Sequence, residues 1–354
     1  MLKRVNILRR KIMKGLTKNV GTSHVDKSGS YITMRRILIA RPNHRLGNLL
    51  LITPLLQEIE TTFPDCKVDM FVKGGLAPIL YKNYSNVDRI ITLPKKPFKE
   101  LWKYIKVWVS LKRYRYDMVI NLDGNSSSGR LSTRFVTAKN KIFGEHIDAL
   151  KEKCKDYRHM AKNPVYNFRY FLSLLGFAEN NAPVPPLDLR LSAAELSNGK
   201  KLLNAVVPPD KKVISIFTYA TGNKCYNEEW WDSYYAKLKE EFPEYTILEI
   251  LPVENISKIG FKAPSFYSKD VREIAAVIAN TAIFVGADSG IMHLAAASGT
   301  TPVAGLFSVT DPVKYMPYDN YSVAINTTSC NMDESLSTIN CILKAGQSSV
   351  VQYA

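Results

Sequence analysis

The run Phe284-Val285-Gly286-Ala287-Asp288-Ser289-Gly290-Ile291-Met292-His293-Leu294-Ala295-Ala296-Ala297 carries the clearest chemistry in the sequence. An apolar strand leads into a carboxylate, a small hydroxyl and a glycine, and then into a helical pattern. Amides at the start of a helix lack intrahelical partners and form an anion site, to which the helix dipole adds about 0.3–1 kcal/mol per favourable charge. Gly290 lets a phosphate approach the backbone. Asp288 can accept hydrogen bonds from sugar or ribose hydroxyls, and His293 lies about one turn into the helix. The same residue types fit plain structure, with Ser289 as an N-cap and His293 as a satisfied core side chain. Both readings stay open on pattern alone.

Two alternations of strand and helix patterns position this run. Residues 36–40, 68–72, 89–93 and 118–122 read as strands, and 213–217, 246–250, 282–287 and 302–307 as a second set. Helical patterns separate the first set, and helices are expected over 228–241, 270–280 and 290–298. Gly299 sits where a left-handed C-terminal cap is expected. In the first half, a loop over 41–48 enters the apolar run 49–52, and Thr53-Pro54 fits an N-cap followed by a first-turn proline, where the helix kinks or restarts. Alternation of this kind implies parallel α/β sheets, in which ligands bind at the carboxyl edge of the strands.

The domains expected are therefore a basic N-terminal extension at 1–33, a first Rossmann-like domain at 34–182, a linker region at 183–210, a second Rossmann-like domain at 211–335 and a C-terminal tail at 336–354. Asn180-Asn181-Ala182-Pro183-Val184-Pro185-Pro186 marks the passage between domains. Two such domains are expected to face a cleft, the usual place for a substrate site. In the extension, Leu2, Val5, Leu8, Ile12 and Leu16 recur at helical spacing with Arg and Lys between them. This suits a basic amphipathic helix on an anionic membrane, or a frayed tail. Residues 21–31, rich in Gly and Ser, read as a linker.

At 354 residues with 46% apolar side chains, the chain is long enough for two cores and too apolar for disorder. No apolar run approaches the roughly 20 residues that span a bilayer. The N-terminus opens with charges and has no apolar core of a secretory signal. Five scattered cysteines without a C-x-x-C pair argue against zinc and disulfide frameworks. A cytoplasmic protein, peripheral on the inner face of a membrane, is expected. The net charge is +16, and its placement matters more than its size: residues 1–160 hold 32 Lys and Arg against 13 Asp and Glu, the remainder 16 against 19. A basic half attracts something anionic, such as a membrane or a phosphorylated substrate. Nucleic acid is not expected, since no aromatic-interleaved basic signature of an RNA-binding module is present.

The run 284–297, followed by Pro302-Val303-Ala304-Gly305-Leu306-Phe307 and Thr310-Asp311-Pro312, resembles the donor-site signature of glycosyltransferase family 9, the heptosyltransferases. Arg45-Leu46-Gly47-Asn48-Leu49-Leu50-Leu51-Ile52-Thr53-Pro54-Leu55-Leu56 resembles that family's N-terminal loop and helix. The stretch from Thr218 to Lys224, followed by Glu228-Glu229-Trp230, resembles the loop after the first strand of its second domain. The resemblance runs over roughly 34–330. It implies the GT-B fold, an α/β architecture of two doubly wound Rossmann-like domains with the acceptor domain first. It further implies an inverting transfer of a heptose-like sugar from a nucleotide-diphosphate sugar, an ADP-sugar being favoured, to a lipopolysaccharide core or related anionic glycolipid, with no cofactor.

Carried over residue by residue, Lys224 matches a lysine at the donor diphosphate, where a cation stabilises the leaving group. Ser289 and Gly290 match residues whose amides hold phosphates. Asp288 matches an aspartate at the donor sugar, with His293 as its helical companion, and Thr218 belongs to the donor loop. His44, Arg45, Gly47 and Asn48 form the acceptor loop. The chain has no D-x-D triplet, so a metal-independent, helix-and-lysine phosphate site is expected. One position departs: the family has Gly-Asp where this chain has Gly47-Asn48, and that aspartate is the presumed general base. Asn has no carboxylate to titrate. Asn48 then orients the acceptor, caps the helix or marks lost activity. Asp123, in Asn121-Leu122-Asp123-Gly124-Asn125, is a substitute base or a turn cap, and His44 is a further candidate. A catalytically impaired nucleotide-sugar-binding homologue and a sugar-nucleotide epimerase are the alternative functions.

Overall fold

A computed structural model describes residues 15–17, 19–26, 33–95 and 100–351, with side chains through 345. Most of the apolar and basic pattern at 1–16 lies outside the described residues. The chain divides into two compact units, Met1–Pro185 and Pro186–Ala354, and the division falls inside the proline-rich stretch 180–186.

The first unit runs β1 (Arg36–Ala40), α1 (Leu46–Leu50), α2 (Thr53–Thr62), β2 (Lys67–Lys73), α3 (Ala77–Leu80), β3 (Val87–Leu93), α4 (Leu101–Ser110), β4 (Arg115–Asn121), α5 (Ser127–Phe135), β5 (Thr137–Ile142), α6 (Asp148–Lys153) and α7 (Lys162–Leu174). Its five strands are all parallel in the order β3-β2-β1-β4-β5. Central strands buried on both faces need continuous apolar runs, and Ile37, Leu38, Ile39 and Ala40 of β1 are fully buried. The sequence does break at Thr53-Pro54, but differently from the expectation. Ile52 is the N-cap of α2, and the Thr53 hydroxyl donates to the Leu50 carbonyl at 2.8 Å, closing α1 instead. Because α1 starts at Leu46, Asn48 lies within its first turn and caps nothing.

Residues 19–26, expected to belong to a free extension and linker, are a strap pinned to this unit. His24 pairs antiparallel with Lys141 of β5. The buried Arg130 guanidinium donates to the carbonyls of Thr17, Val20 and Gly21 at 3.0, 3.1 and 2.7 Å. Both the amide and the hydroxyl of Ser23 donate to Glu145. Gly21 has φ +72, and a Cβ there would stand 2.2 Å from Phe143 Cζ, so only glycine fits.

The second unit runs α8 (Ala193–Asn204), β6 (Lys212–Phe217), a 3-10 turn (Gly222–Lys224), α9 (Glu228–Glu241), β7 (Tyr245–Ile250), β8 (Ser265–Phe266), α10 (Val271–Ile278), β9 (Ile283–Ala287), α11 (Gly290–Ala296), β10 (Val303–Phe307), α12 (Pro312–Tyr315), β11 (Val323–Asn326) and α13 (Met332–Val351). Its parallel order is β11-β10-β9-β6-β7-β8. Counted along the unit, this is the strand order of the first sheet with one strand more. Both sheets are doubly wound, with order reversal between β1 and β4 in one and between β6 and β9 in the other.

Two regions differ from the expected linker and tail. Helix α8, inside 183–210, opens with a reciprocal capping box between Ser192 and Glu195 and packs through Gly199 against Ala276 of α10. Leu336, Ile339, Ile342 and Leu343 of α13 complete the apolar core around Trp231 and Tyr234. Gly299 has φ +129, outside the left-handed helical region expected of it.

Candidate functional site

In the second unit the site residues gather where the strand order reverses, the point at which open α/β sheets bind ligands. Asp288 follows β9 and is buried. Its Oδ2 accepts from Lys224 Nζ at 3.1 Å and from the Thr310 hydroxyl at 2.6 Å. Nε2 of the buried His293 lies 4.0 Å from Oδ1. A buried carboxylate is tolerated when it is paired and hydrogen-bonded, and here the cation arrives from the loop after β6, the strand next to β9. Lys224 is partly exposed, so its ammonium can exchange Asp288 for an incoming anion. The Ser289 hydroxyl accepts from the Met292 amide at 3.2 Å, as the N-cap of α11.

Thr218 sits in the same region with its hydroxyl engaged inside the fold. It donates to Glu249 Oε1 at 2.6 Å and accepts from the Lys258 amide at 3.1 Å. Glu249, at the end of β7, is fully buried and also accepts from the Ser257 hydroxyl at 2.7 Å. Burial pushes its pKa up, and the two hydroxyls and the Lys258 amide pull it part-way back. Sequence reasoning missed Glu249. The signal was a charged residue inside the apolar run Ile247-Leu248-Glu249-Ile250. Thr310 stood in the T-D-P motif without an assigned role.

In the first unit a buried arginine, also missed, organises the reversal point between β1 and β4. Arg41 follows β1 directly. Its Nη1 lies 3.4 Å from Asp123 Oδ2 and donates to the Leu122 carbonyl at 3.2 Å, while Nη2 donates to Asn48 Oδ1 at 3.5 Å. The structure thus brings Asn48 and Asp123 to one guanidinium. Asp123 Oδ1 also accepts from the Asn125 amide at 3.0 Å, so it caps its turn as well. His44 and Arg45 are exposed on the adjoining loop, and Gly47 is buried in α1. Among the described residues, no group of three or more His, Cys, Asp or Glu converges as metal ligands would.

Residues 269–341 match glycosyltransferase family 9 (heptosyltransferase). Lipopolysaccharide heptosyltransferase 3 of Escherichia coli K12 is 24% identical over 297 residues, 77% of this chain and 82% of its own length. The chain is thus similar to glycosyltransferase family 9 over the matched segment and to a heptosyltransferase over most of its length. Among solved structures, the glycosyltransferase family 9 protein of Veillonella parvula aligns with TM-score 0.69 at 15% identity, over 88% of this chain and 98% of that one. The Escherichia coli heptosyltransferase WaaC, solved with ADP, aligns with TM-score 0.61 at 18% identity, over 90% and 100%. The two doubly wound units of this chain are those of the GT-B fold. The family match includes Asp288, Ser289, Gly290, His293 and Thr310. It leaves out Lys224 and the Arg41 cluster, whose assignment rests on geometry and on the resemblance.

Proposed function

We propose that the protein transfers a heptose-like sugar from a nucleoside-diphosphate sugar to a lipopolysaccharide core or related glycolipid, with inversion and without a metal. The observation that carries this reading is the convergence of Lys224 and Thr310 on buried Asp288 at the reversal point of the second sheet. In the free protein the lysine is held by an internal carboxylate. A donor diphosphate would draw Lys224 to itself and release Asp288 to accept from sugar hydroxyls. The backbone amides of Ser289 and Gly290 would share the phosphate charge. The acceptor hydroxyl oxygen would then attack the anomeric carbon opposite the diphosphate, its proton passing to Asp123 or water, the carbon–phosphate-oxygen bond would break, and Lys224 would stabilise the leaving nucleoside diphosphate. An ADP donor is favoured because a similar structure is that of a heptosyltransferase with ADP. The lipopolysaccharide acceptor follows from the name of the heptosyltransferase 3 relative.

Titration with ADP-, GDP- and UDP-sugars tests the donor. Lys224→Ala and Asp288→Ala are each expected to weaken binding or transfer about tenfold or more, roughly 1.4 kcal/mol. Unchanged affinity and turnover in both folded variants would remove the donor-site assignment. A second reading, donor binding without transfer, is favoured by one observation: the position of the family's base is Asn48, and the neighbouring Asp123 carboxylate is already paired with Arg41. Donor turnover by the purified protein separates the two.

A further inference from the structure

We propose that helix α4 is a docking surface for an anionic phospholipid bilayer. One row of this helix is structural: Tyr104, Val107, Trp108 and Leu111 pack on the sheet, with the Trp108 ring against Phe71 and Phe135 at 5.8 and 5.9 Å. The opposite row is apolar too. Leu101, Trp102, Ile105 and Val109 are 55%, 78%, 43% and 64% exposed. Leu101, Ile105 and Val109 recur every four residues with Trp102 beside them, so the four form one stripe along the outer face. Solvent-facing helix surfaces are polar by rule, and here the row that meets water is as apolar as the row that meets the core.

Charge complementarity names the occupant. Lys103 and Lys106 flank the stripe and are exposed, and Lys112 and Arg113 follow its last turn, also exposed. Between residues 100 and 116 the one acidic residue is Glu100, which pairs with Lys103 at 3.2 Å at the start of the helix. Apolar side chains led by a tryptophan, with lysines and arginines beside them, suit a helix lying in the interface plane: the stripe enters the acyl boundary and the cations meet phosphate. The excess of 32 cations over 13 anions in the first 160 residues draws the unit to the same surface. The helix departs from the carboxyl edge of the sheet, where Arg41, Asn48 and Asp123 lie. The proposal does not rest on the glycosyl-transfer reading, because vesicle binding is measured without donor or acceptor.

The test is co-sedimentation of the full chain with vesicles of phosphatidylcholine, alone and mixed with phosphatidylglycerol. The wild-type protein is expected to bind the mixed vesicles and to be released as salt rises. Trp102→Ser combined with Ile105→Ser should lower binding about tenfold or more, with an unchanged circular dichroism spectrum and melting curve, since both side chains lie outside the core. Lys103→Glu combined with Lys106→Glu should abolish the preference for anionic vesicles. Bromine-labelled acyl chains should quench wild-type tryptophan fluorescence, and Trp102→Phe should remove most of that quenching while the protein still binds. Equal binding by the Trp102/Ile105 variant and the wild type would overturn the proposal, as would absence of wild-type binding. Self-association without lipid, abolished by the same double substitution, would show that a second copy covers this face instead.

Discussion

Arg41 places a buried guanidinium against both Asn48, which stands where the resembled family has its presumed base, and Asp123, the proposed substitute. An asparagine can accept from that guanidinium but cannot take a proton. General-base catalysis is worth about 10²–10⁴-fold, so its loss slows a transferase without emptying its donor site. Asn48→Ala is expected to leave donor affinity nearly unchanged, since Asn48 lies in the first unit and the proposed donor cluster in the second. Asn48→Asp should raise turnover, because the new carboxylate would stand in the family's position with Arg41 already beside it. Steady-state kinetics check this. An inactive Asn48→Asp together with an inactive Asp123→Ala would place the base at Asp123. A second residue-scale prediction concerns Glu249. Its folded-state pKa is raised, so its favourable contribution is complete below the ordinary carboxylate range and is lost as pH rises through the folded value. Wild type should therefore lose stability relative to Glu249→Gln as pH rises above the ordinary carboxylate range. Denaturant midpoints measured across that range decide it, and a difference independent of pH would sink the idea.

At the scale of elements, α8 and α10 approach through Gly199, where an added Cβ would stand 2.3 Å from the Ala276 carbonyl oxygen. Backbone cannot give way as a flexible side chain can. Gly199→Ala should therefore cost about 1–3 kcal/mol, read as a lower denaturant midpoint. Ser197→Ala, on the exposed side of the same helix, should stay within about 0.5 kcal/mol. Helix α8 also shows where sequence reading stopped short. Its Ser192-to-Glu195 capping box was written in the residues, but the preceding prolines drew the whole stretch into a linker. The strands over 36–40, 213–217 and 302–307 were legible because central parallel strands are unbroken apolar runs. Strand β5, Thr137-Ala138-Lys139-Asn140-Lys141-Ile142, was not, because an edge strand carries charge on its open side. The strand-to-helix junction at 287–290 was legible for a related reason: strand, carboxylate, hydroxyl and glycine follow one another without a gap. Arg41 and Glu249 escaped because Asp123 and Thr218, which they meet, follow other strands, and only the topology brings those strand ends together. Asn48 was noticed as a departure, yet its contact with Arg41 could not be read from spacing.

For the molecule as a whole, the strap is the feature with the widest reach. Removing residues 1–26 would deprive the buried Arg130 of three carbonyl acceptors and cost about 1–3 kcal/mol. Removing residues 1–14 should leave the stability of the first unit unchanged, because Thr17, Val20 and Gly21 remain. Differential scanning calorimetry of the two truncations separates them, and equal destabilisation would show that the strap contacts contribute nothing. The same strap sets an order of events during synthesis. Glu145 is 122 residues downstream of Ser23. At about 5–20 residues per second, a ribosome needs roughly 6–24 seconds to deliver it after the strap has been made. Through that interval the strap has nothing to dock on. The last strand of the first sheet then arrives with its open side facing a segment that has been waiting for it. The strap therefore docks only once residue 145 has cleared the exit tunnel, well before the second unit is complete.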